Sequence, residues 1–320
     1  MNTKNLYKLM AVLFASIIIV STGCKKDKDD DPTPTTDYVK EMTDYMAANG
    51  MDLNEIMTTW TITAAALDTT KENFYIIDLR AEVDYNLGHI PGAVNTTLAN
   101  VVNQAASNGG KPIVVVCYTG QTAAHGHVAL KLSGFDSKIL MWGMSSWNVD
   151  FDKWTANVSD MGTGNSNWST TNTLETNVTF TKPTFTTTAT TGQAILAERV
   201  EAMLEGGFKG VNAADVLATP TNYFINNYWA LTDVEHYGHI KGAYRIKEDL
   251  TLAADGFKYL DGASTVVTYC WTGQTSSLIT AYLTVLGYDA VSLKFGANGM
   301  IHSTLESHNW TSSGSFVYEN

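Results

Sequence analysis

Two six-residue segments of this sequence combine a nucleophile with a polar loop. The thiolate is the nucleophilic form of cysteine, and backbone N–H groups that converge on a sulfur favour that charged form. We therefore expect each loop to hold the pKa of its thiol below the ordinary value of about 8.5 and to bind an anion. The segments are Cys117-Tyr118-Thr119-Gly120-Gln121-Thr122 and Cys270-Trp271-Thr272-Gly273-Gln274-Thr275.

The elements around the first loop are suited to present its cysteine. The apolar run Ile113 to Val116 predicts a buried strand that ends at Cys117. The stretch Thr122 to Ser133 predicts a helix with Thr122 as its N-cap, and Gly120 suits the tight loop between them. The alternative is an inert buried cysteine. We favour a functional loop, because packing alone rarely preserves a polar string between diverged copies.

The repeat extends well beyond the loops. Gly88-His89-Ile90 recurs 150 residues later as Gly238-His239-Ile240. A period of this length indicates duplicated domains, since solenoid repeats span about 20–50 residues. Strands alternate with helices in each copy, which predicts parallel sheets with a cysteine at the carboxyl end of a strand, where ligands bind. Further predicted elements are strands at 74–77, 139–141, 265–269 and 290–293, and a helix at 275–286.

Composition limits the function classes. The chain has 320 residues, 44% of them hydrophobic and 16% charged, which is typical of two packed globular domains. A net charge of −12 disfavours nucleic acid as a partner. The three cysteines form no Cys-x-x-Cys pair that could hold structural zinc.

The N-terminus has the pattern of an export signal. Lys4 and Lys8 precede the apolar run Leu9 to Val20, which is too short to span a bilayer. The ending Ser21-Thr22-Gly23-Cys24 resembles the lipobox of bacterial lipoproteins, which implies acylation of Cys24. The alternative is an ordinary signal peptide with an incidental cysteine.

A charged, Pro/Thr-rich stretch follows Cys24 and indicates a flexible tether. Acid-rich tethers of this kind resemble those of Bacteroidota lipoproteins. We therefore expect a lipid-anchored protein of the outer membrane, on its periplasmic or its surface face. The expected organisation is a signal peptide (1–23), a disordered tether (24–36), a first domain (37–160), a Thr/Ser/Asn-rich linker (161–192) that includes a candidate edge strand at 178–181, and a second domain (193–320).

Together these motifs resemble the rhodanese family. Asp78-Leu79-Arg80 followed by Gly88 to Ala93 is similar to the family's first signature. Cys117 to Thr122 is similar to its catalytic loop, and Trp142 to Trp147 to its closing segment. The resemblance implies an α/β fold of two rhodanese-like domains, each a parallel sheet flanked by helices.

The resemblance also implies an activity. The thiolate of Cys117, Cys270 or both would take sulfane sulfur from a donor such as thiosulfate and hold it as a persulfide, stabilised by the amides of residues 118–122 and 271–275. A thiol or cyanide would then accept the sulfur. The family needs no metal or organic cofactor. We expect a monomer that contacts a membrane only through its lipid.

The sequence also departs from the family pattern. The loops carry Gln121 and Gln274 where many relatives have arginine, which argues against phosphatase activity, and neither loop contains Lys or Arg. Arg80 could help to hold a dianion, although pairing with Asp78 is the commoner role for such an arginine. In the second copy, the positions at an offset of 150 read Tyr228-Trp229-Ala230, and either Arg245 or Lys294 could supply the missing charge or lie on a solvated surface.

Two alternatives to catalysis remain. The missing loop arginines favour a non-catalytic module that binds a partner protein or a small anion. A redox bridge between Cys117 and Cys270 would need their Cα atoms within about 7 Å. Loops on separate domains rarely come that close together.

Overall fold

The computed structural model describes residues 37–171 and 173–320; the predicted signal peptide, the tether and Cys24 lie outside them. The first sheet is entirely parallel, in the order β1-β5-β4-β2-β3. Its strands are β1 (Thr61–Ile62), β2 (Tyr75–Asp78), β3 (Val94–Asn95), β4 (Ile113–Val116) and β5 (Ser137–Leu140).

A second parallel sheet repeats this topology, in the order β7-β12-β11-β8-β10. Two further strands, β6 (Trp168–Ser169) and β9 (His239–Ile240), form an antiparallel pair. The predicted α/β class with two matching domains is therefore confirmed. The strands of the second sheet are β7 (Gly210–Val211), β8 (Phe224–Asn227), β10 (Ala243–Tyr244), β11 (Val266–Tyr269) and β12 (Ala290–Leu293).

Helices flank both sheets. In the first domain they are α1 (Tyr38–Ala48), α2 (Leu53–Ile56), α3 (Ala64–Thr70), α4 (Glu82–Leu87), α5 (Val101–Ala105), α6 (Gln121–Leu132) and α7 (Met144–Trp147). In the second domain they are α8 (Gly192–Glu205), α9 (Ala213–Ala218), α10 (Leu231–Tyr237) and α11 (Gln274–Val285).

Strand β4 is buried on both faces, which explains its continuous apolar run. Ile113 and Val115 of β4 point into one cluster of buried side chains, and Val114 and Val116 point into another. This alternation follows from the two-residue period of a strand. Both faces of β4 therefore fix the position of Cys117, the next residue.

The helices that follow the two cysteine loops pack against each other. Nearly all side chains of α6 and α11 are buried, and they belong to one core that both domains share. Since both loops lie at the N-termini of these helices, the packing places the loops at the domain interface.

Chain segments cross between the domains in both directions. The C-terminal residues return to the first domain, where Glu319 pairs with His89, and Trp147 Nε1 donates to Val317 O at 2.9 Å. In the other direction, Ser159 N donates to Asn298 O at 2.8 Å. The domains are thus joined by more than their linker.

The expected edge strand at 178–181 is wrong. Phe180 N donates to Lys258 O at 2.8 Å, and the Phe180 ring packs on the shared core. Lys258 lies in a 3₁₀ turn (Gly256–Tyr259), so it offers no extended edge for a ladder. Aromatic burial, rather than strand pairing, holds this part of the linker.

Among the residues that the structure describes, no helix combines the length and the apolar character needed to cross a membrane.

Candidate active site

The first cysteine lies at the carboxyl end of β4, in the short connection to α6. Cys117 Sγ accepts hydrogen bonds from Gly120 N at 3.1 Å and from Ala123 N at 3.3 Å. Ala123 is in the first turn of α6, so the sulfur faces the positive end of the helix. Two amides aimed at one sulfur favour its charged form.

Both loop helices begin earlier than predicted. Thr122 is not the N-cap of α6; the helix begins at Gln121, and the cap residue is Gly120, which has a φ of +80° and no side-chain cap bond. Gly273 is likewise the cap residue of α11, which begins at Gln274, and it has a φ of +76°. A positive φ turns the chain from the strand directly into the helix and leaves the first amides free for the sulfur.

A second glycine in each domain supports the loop from behind. A Cβ atom on Gly143 would lie 2.3 Å from Cys117 O, and one on Gly296 would lie 2.3 Å from Cys270 O. In the first domain, Met144 N also donates to Cys117 O at 2.8 Å. These contacts fix the cysteine backbone and leave no room for a side chain at either glycine.

The expected lowering of the Cys117 pKa is wrong. Burial raises the pKa of the Cys117 thiol, because a thiolate loses its hydration there, and only 5% of the residue is exposed. The backbone amides of residues 119, 120, 122 and 123 oppose this effect without overcoming it. The sequence predicted that backbone amides face the sulfur, but it did not predict how deeply the sulfur is buried.

The second cysteine has a related but different environment. Cys270 Sγ accepts from Ser276 N at 3.3 Å, and its thiol lies 3.6 Å from Ser276 Oγ. That hydroxyl lies 2.8 Å from Ser292 Oγ. Sequence reasoning missed Ser276, although it occupies the position of Ala123 at the same offset of 153 residues. Both cysteines are free thiols, so the structure contains no bridge between them.

Arg80 pairs with Asp78 beside the first loop. Arg80 Nη2 lies 2.7 Å from Asp78 Oδ2, with both side chains about 1% exposed, and also donates to Gly88 O at 2.7 Å. The guanidinium lies between the rings of Tyr118 and Phe151, 5.1 Å from each centroid. Its Nη1 has no hydrogen-bond partner in the described structure.

The register of the sheet corrects the counterpart of this pair. Asp78 pairs with Val116 on β4, and Asn227 pairs with Tyr269 on β11, so the offset here is 149 rather than 150. The residue that replaces Arg80 is Trp229. The shift arises because α10 is one residue longer than α4.

The two basic residues of the second copy do not rebuild the lost ion pair. Arg245 Nε donates to Trp229 O at 2.8 Å, and its guanidinium pairs with Glu248. Asn95 occupies the equivalent place in the first domain and donates to Arg80 O at 2.8 Å. Lys294 follows β12, where its backbone N donates to Val211 O at 3.0 Å.

Aromatic side chains follow each cysteine. Tyr118 is half-buried, and Lys153 Nζ lies 5.3 Å from its ring centroid. Trp271 stacks on Trp229 at 4.4 Å and on His308 at 5.4 Å. We call the surroundings of Tyr118 the first mouth and those of Trp271 the second mouth. The first contains two cationic side chains and the second contains aromatic rings.

The remaining loop residues either shape the loop or lie at its rim. Thr119 Oγ1 accepts from Gln121 Nε2 at 3.1 Å, and Thr272 Oγ1 accepts from Gln274 N at 3.2 Å. Thr122 and Thr275 lie half-buried in the first turn of each helix.

The two glutamine side chains reach across the domain interface. Gln274 Nε2 donates to Thr119 O at 2.9 Å, and Phe295 N donates to Gln121 Oε1 at 3.0 Å. Sequence reasoning placed both glutamines in the loops but gave no sign of these contacts. The two sites therefore touch.

Within the described part of the chain, no group of three or more His, Cys, Asp or Glu side chains could share a metal ion. His125 and His127 lie buried on α6, where burial lowers their pKa to about 3 and about 4. His127 contacts Ser137 Oγ and Ile56 O, at 2.9 and 3.1 Å.

These features define a class of protein. Residues 61–150 and 197–300 match the family of rhodanese-like domains, which together is more than half of the chain. The chain therefore belongs to that family, as a tandem protein with two such domains.

Individual relatives are similar to parts of the chain. A thiosulfate sulfurtransferase GlpE from Shewanella oneidensis is 36% identical over 84 residues, covering 25% of this chain and 81% of that protein. Its counterpart from Pseudoalteromonas translucida is 29% identical over 85 residues, covering 26% and 81%. A crystal structure of a thiosulfate sulfurtransferase from Pseudomonas aeruginosa spans 88% of this chain and 48% of that chain, at 13% identity and a TM-score of 0.29.

Proposed function

We propose that this protein is a sulfurtransferase that carries sulfane sulfur as a persulfide on Cys117. The observation that carries the proposal is the pair of amides, from Gly120 and Ala123, directed at Cys117 Sγ. The relatives named thiosulfate sulfurtransferase support the same class of reaction.

The reaction balances with these groups alone. The Cys117 thiolate attacks the outer sulfur of thiosulfate, an S–S bond forms on the enzyme, and the S–S bond of the donor breaks to release sulfite. Cyanide or a thiolate then attacks the outer sulfur of the persulfide and restores the Cys117 thiolate. The amides hold the anionic sulfur in both half-reactions, as an oxyanion hole holds developing charge. The scheme predicts ping-pong kinetics.

Cys117 is the better candidate of the two cysteines. Two backbone amides donate to its sulfur, whereas among the described residues one amide donates to Cys270 Sγ. Lys153 and the Arg80–Asp78 pair also lie beside Tyr118 at the first mouth. Cys270 is the second site to test, since its loop has the same backbone form.

Intact mass measurement tests this proposal. The parent protein, with Cys24→Ser to simplify the thiol count, is exposed to thiosulfate beside the variants Cys117→Ala and Cys270→Ala. We expect a gain of about 32 Da, one sulfur atom, that is lost in Cys117→Ala and kept in Cys270→Ala. Loss only in Cys270→Ala would move the activity to the second domain.

A second candidate function rests on burial. Cys117 is 5% exposed and Cys270 is 2% exposed, and each loop is covered by a glutamine of the other domain. A protein whose two domains only bind a partner could keep both cysteines buried in this way. No mass gain with thiosulfate, 3-mercaptopyruvate or polysulfide, in a folded sample with free thiols, would favour this binding module.

We also propose that the protein acts as a monomer in the cell envelope, anchored to the outer membrane through an acylated Cys24. The sequence pattern at 1–36 supports the anchor, and each buried methylene of an acyl chain adds about 0.8 kcal/mol to membrane binding. The expected partners are a small sulfur-containing anion and a thiol or cyanide acceptor. Cys24→Ala should move the protein from the membrane fraction to the soluble fraction of the source cells.

A further inference from the structure

One hydrogen bond of the first site comes from the second domain. The side chain of Gln274 turns away from Cys270, and its Nε2 donates to Thr119 O at 2.9 Å. Gln274 is only 3% exposed, so this bond is shielded from water. The contact is also close in space, because a Cβ atom on Gly120 would lie 2.6 Å from Gln274 Nε2.

The bonded carbonyl belongs to the peptide unit whose N–H reaches the sulfur. The Thr119–Gly120 peptide is trans, so its C=O and its N–H point in opposite directions. The C=O faces Gln274, and the N–H of Gly120 donates to Cys117 Sγ at 3.1 Å. Holding one end of this rigid unit therefore aims the other end.

The second domain provides an internal comparison. The glutamine of the first loop, Gln121, accepts from Phe295 N, and its Nε2 donates to Thr119 Oγ1 rather than to the carbonyl oxygen of Thr272. Among the described residues, the amide that donates to Cys270 Sγ is that of Ser276, and the Gly273 N–H makes no such bond. The loop peptide that is held across the interface is thus the one whose N–H reaches a sulfur.

We propose that Gln274 is a positioning residue for Cys117, fixing the Thr119–Gly120 peptide so that the Gly120 N–H stabilises the anionic sulfur of the other domain. This role deepens the proposed sulfur transfer, on which its catalytic meaning rests. The second domain then serves the first site directly, whether or not Cys270 reacts itself.

The test uses the whole chain with Cys24→Ser and Cys270→Ala, which leaves Cys117 as its single thiol. The rate of alkylation by iodoacetamide is measured against pH, because it follows the thiolate fraction. Gln274→Met keeps the length of the side chain and removes the donor. We expect the alkylation profile to move to higher pH and the rate at pH 7 to fall by about three- to tenfold.

The matched control is Tyr282→Phe. Tyr282 is on the same helix, and its hydroxyl donates across the same interface to Met51 O at 3.0 Å, away from the loop. This variant should leave the Cys117 profile in place. An unmoved profile in Gln274→Met, or an equal movement in both variants, would overturn the proposal.

A second variant covers the case in which Gln274→Met does not fold. Gln274→Leu is smaller and also removes the donor, so we expect a movement in the same direction. Persulfide formation from thiosulfate is measured in parallel. A moved profile without any persulfide in the parent would keep the positioning role and reject the sulfur transfer.

Discussion

Each domain places a cysteine at the equivalent point of its own sheet, yet different side chains hold the neighbouring turn in the two domains. In the first domain a buried Asp78 carboxylate pairs with Arg80. In the second, the neutral pair Asn227 and Trp229 takes these places. In both, a side-chain oxygen accepts from the backbone N–H two residues later at 2.9 Å. The turn therefore requires an oxygen acceptor, whereas it does not require a charge.

The charge difference extends to the mouths of the two sites. Arg80 and Lys153 lie against the Tyr118 ring in the first domain, and Trp229 stacks on Trp271 in the second. Because Asp78 compensates the charge of Arg80, Lys153 is the side chain through which the first arrangement would attract an anion, whereas the stacked rings of the second carry no charge. The comparison thus separates the contacts that hold the loop, which both domains keep, from the charge that would attract the anion in the proposed function.

The largest expected effect comes from breaking the buried ion pair. Asp78→Asn copies the second domain and keeps the oxygen that accepts from Arg80 N, but it leaves the guanidinium buried without a counter-charge. We expect the free energy of unfolding to fall by about 3–5 kcal/mol. Urea unfolding followed by tryptophan fluorescence measures this change.

The control removes both charges together. Asp78→Asn combined with Arg80→Met should recover most of the lost stability, because an apolar side chain of similar length leaves no uncompensated charge. If the double variant is as unstable as Asp78→Asn, the loss comes from packing or turn geometry, and the role given to charge is wrong.

The elements around the site could be predicted where local pattern decides them. Strand β4 at Ile113–Val116 and strand β12 at Ala290–Leu293 match the predicted runs, since a strand buried on both faces is mostly apolar. The helix start at Gln121 was missed, because the left-handed turn at Gly120 decides it and Thr122 only resembles a cap. Local composition cannot distinguish those two starts.

The long-range features could not be predicted. The counterpart of Asp78 depends on one extra residue in α10, which shifts the alignment by one position without changing the motif that follows. The bond from Gln274 to Thr119 joins residues 155 positions apart. Likewise, the pKa of Cys117 depends on how deeply both domains bury the loop, and this burial cannot be predicted from the loop sequence.

The two domains also differ in buried histidines, which make stability depend on pH. Burial lowers the pKa of His125 to about 3 and of His127 to about 4, and the second domain has Leu278 and Thr280 at these positions. A lowered pKa in the folded state means that the unfolded chain binds more protons below about pH 6.5. Stability from these neutral histidines is therefore complete above that pH and is lost as the pH falls towards 4 and 3.

His125→Leu tests this contrast by copying the second domain. Below pH 6.5, the difference in unfolding free energy between variant and parent should grow in favour of the variant, by about 1.4 kcal/mol per pH unit. Above pH 7 the difference should be constant. Urea unfolding at half-unit steps from pH 8 to pH 4.5 measures it, and a difference that stays flat below pH 6.5 would show that His125 is protonated in the folded state.

The smallest expected effect concerns the charge at the first mouth. Lys153 is exposed beside Tyr118, and its counterpart at the offset of 153 residues is Glu306. In the chain with Cys24→Ser and Cys270→Ala, we expect Lys153→Glu to lower the ratio of iodoacetate to iodoacetamide alkylation of Cys117 by about two- to fivefold at low salt. The ratio isolates attraction of the anion, because the neutral reagent reports access and thiolate fraction alone. Since both the lysine and the incoming anion are hydrated, added salt should remove most of the difference.

The control is Lys40→Glu, which makes the same change in net charge on α1 and should leave the ratio unchanged. If Lys40→Glu lowers the ratio equally, the anion responds to the overall charge of the protein, and Lys153 does not distinguish the two mouths.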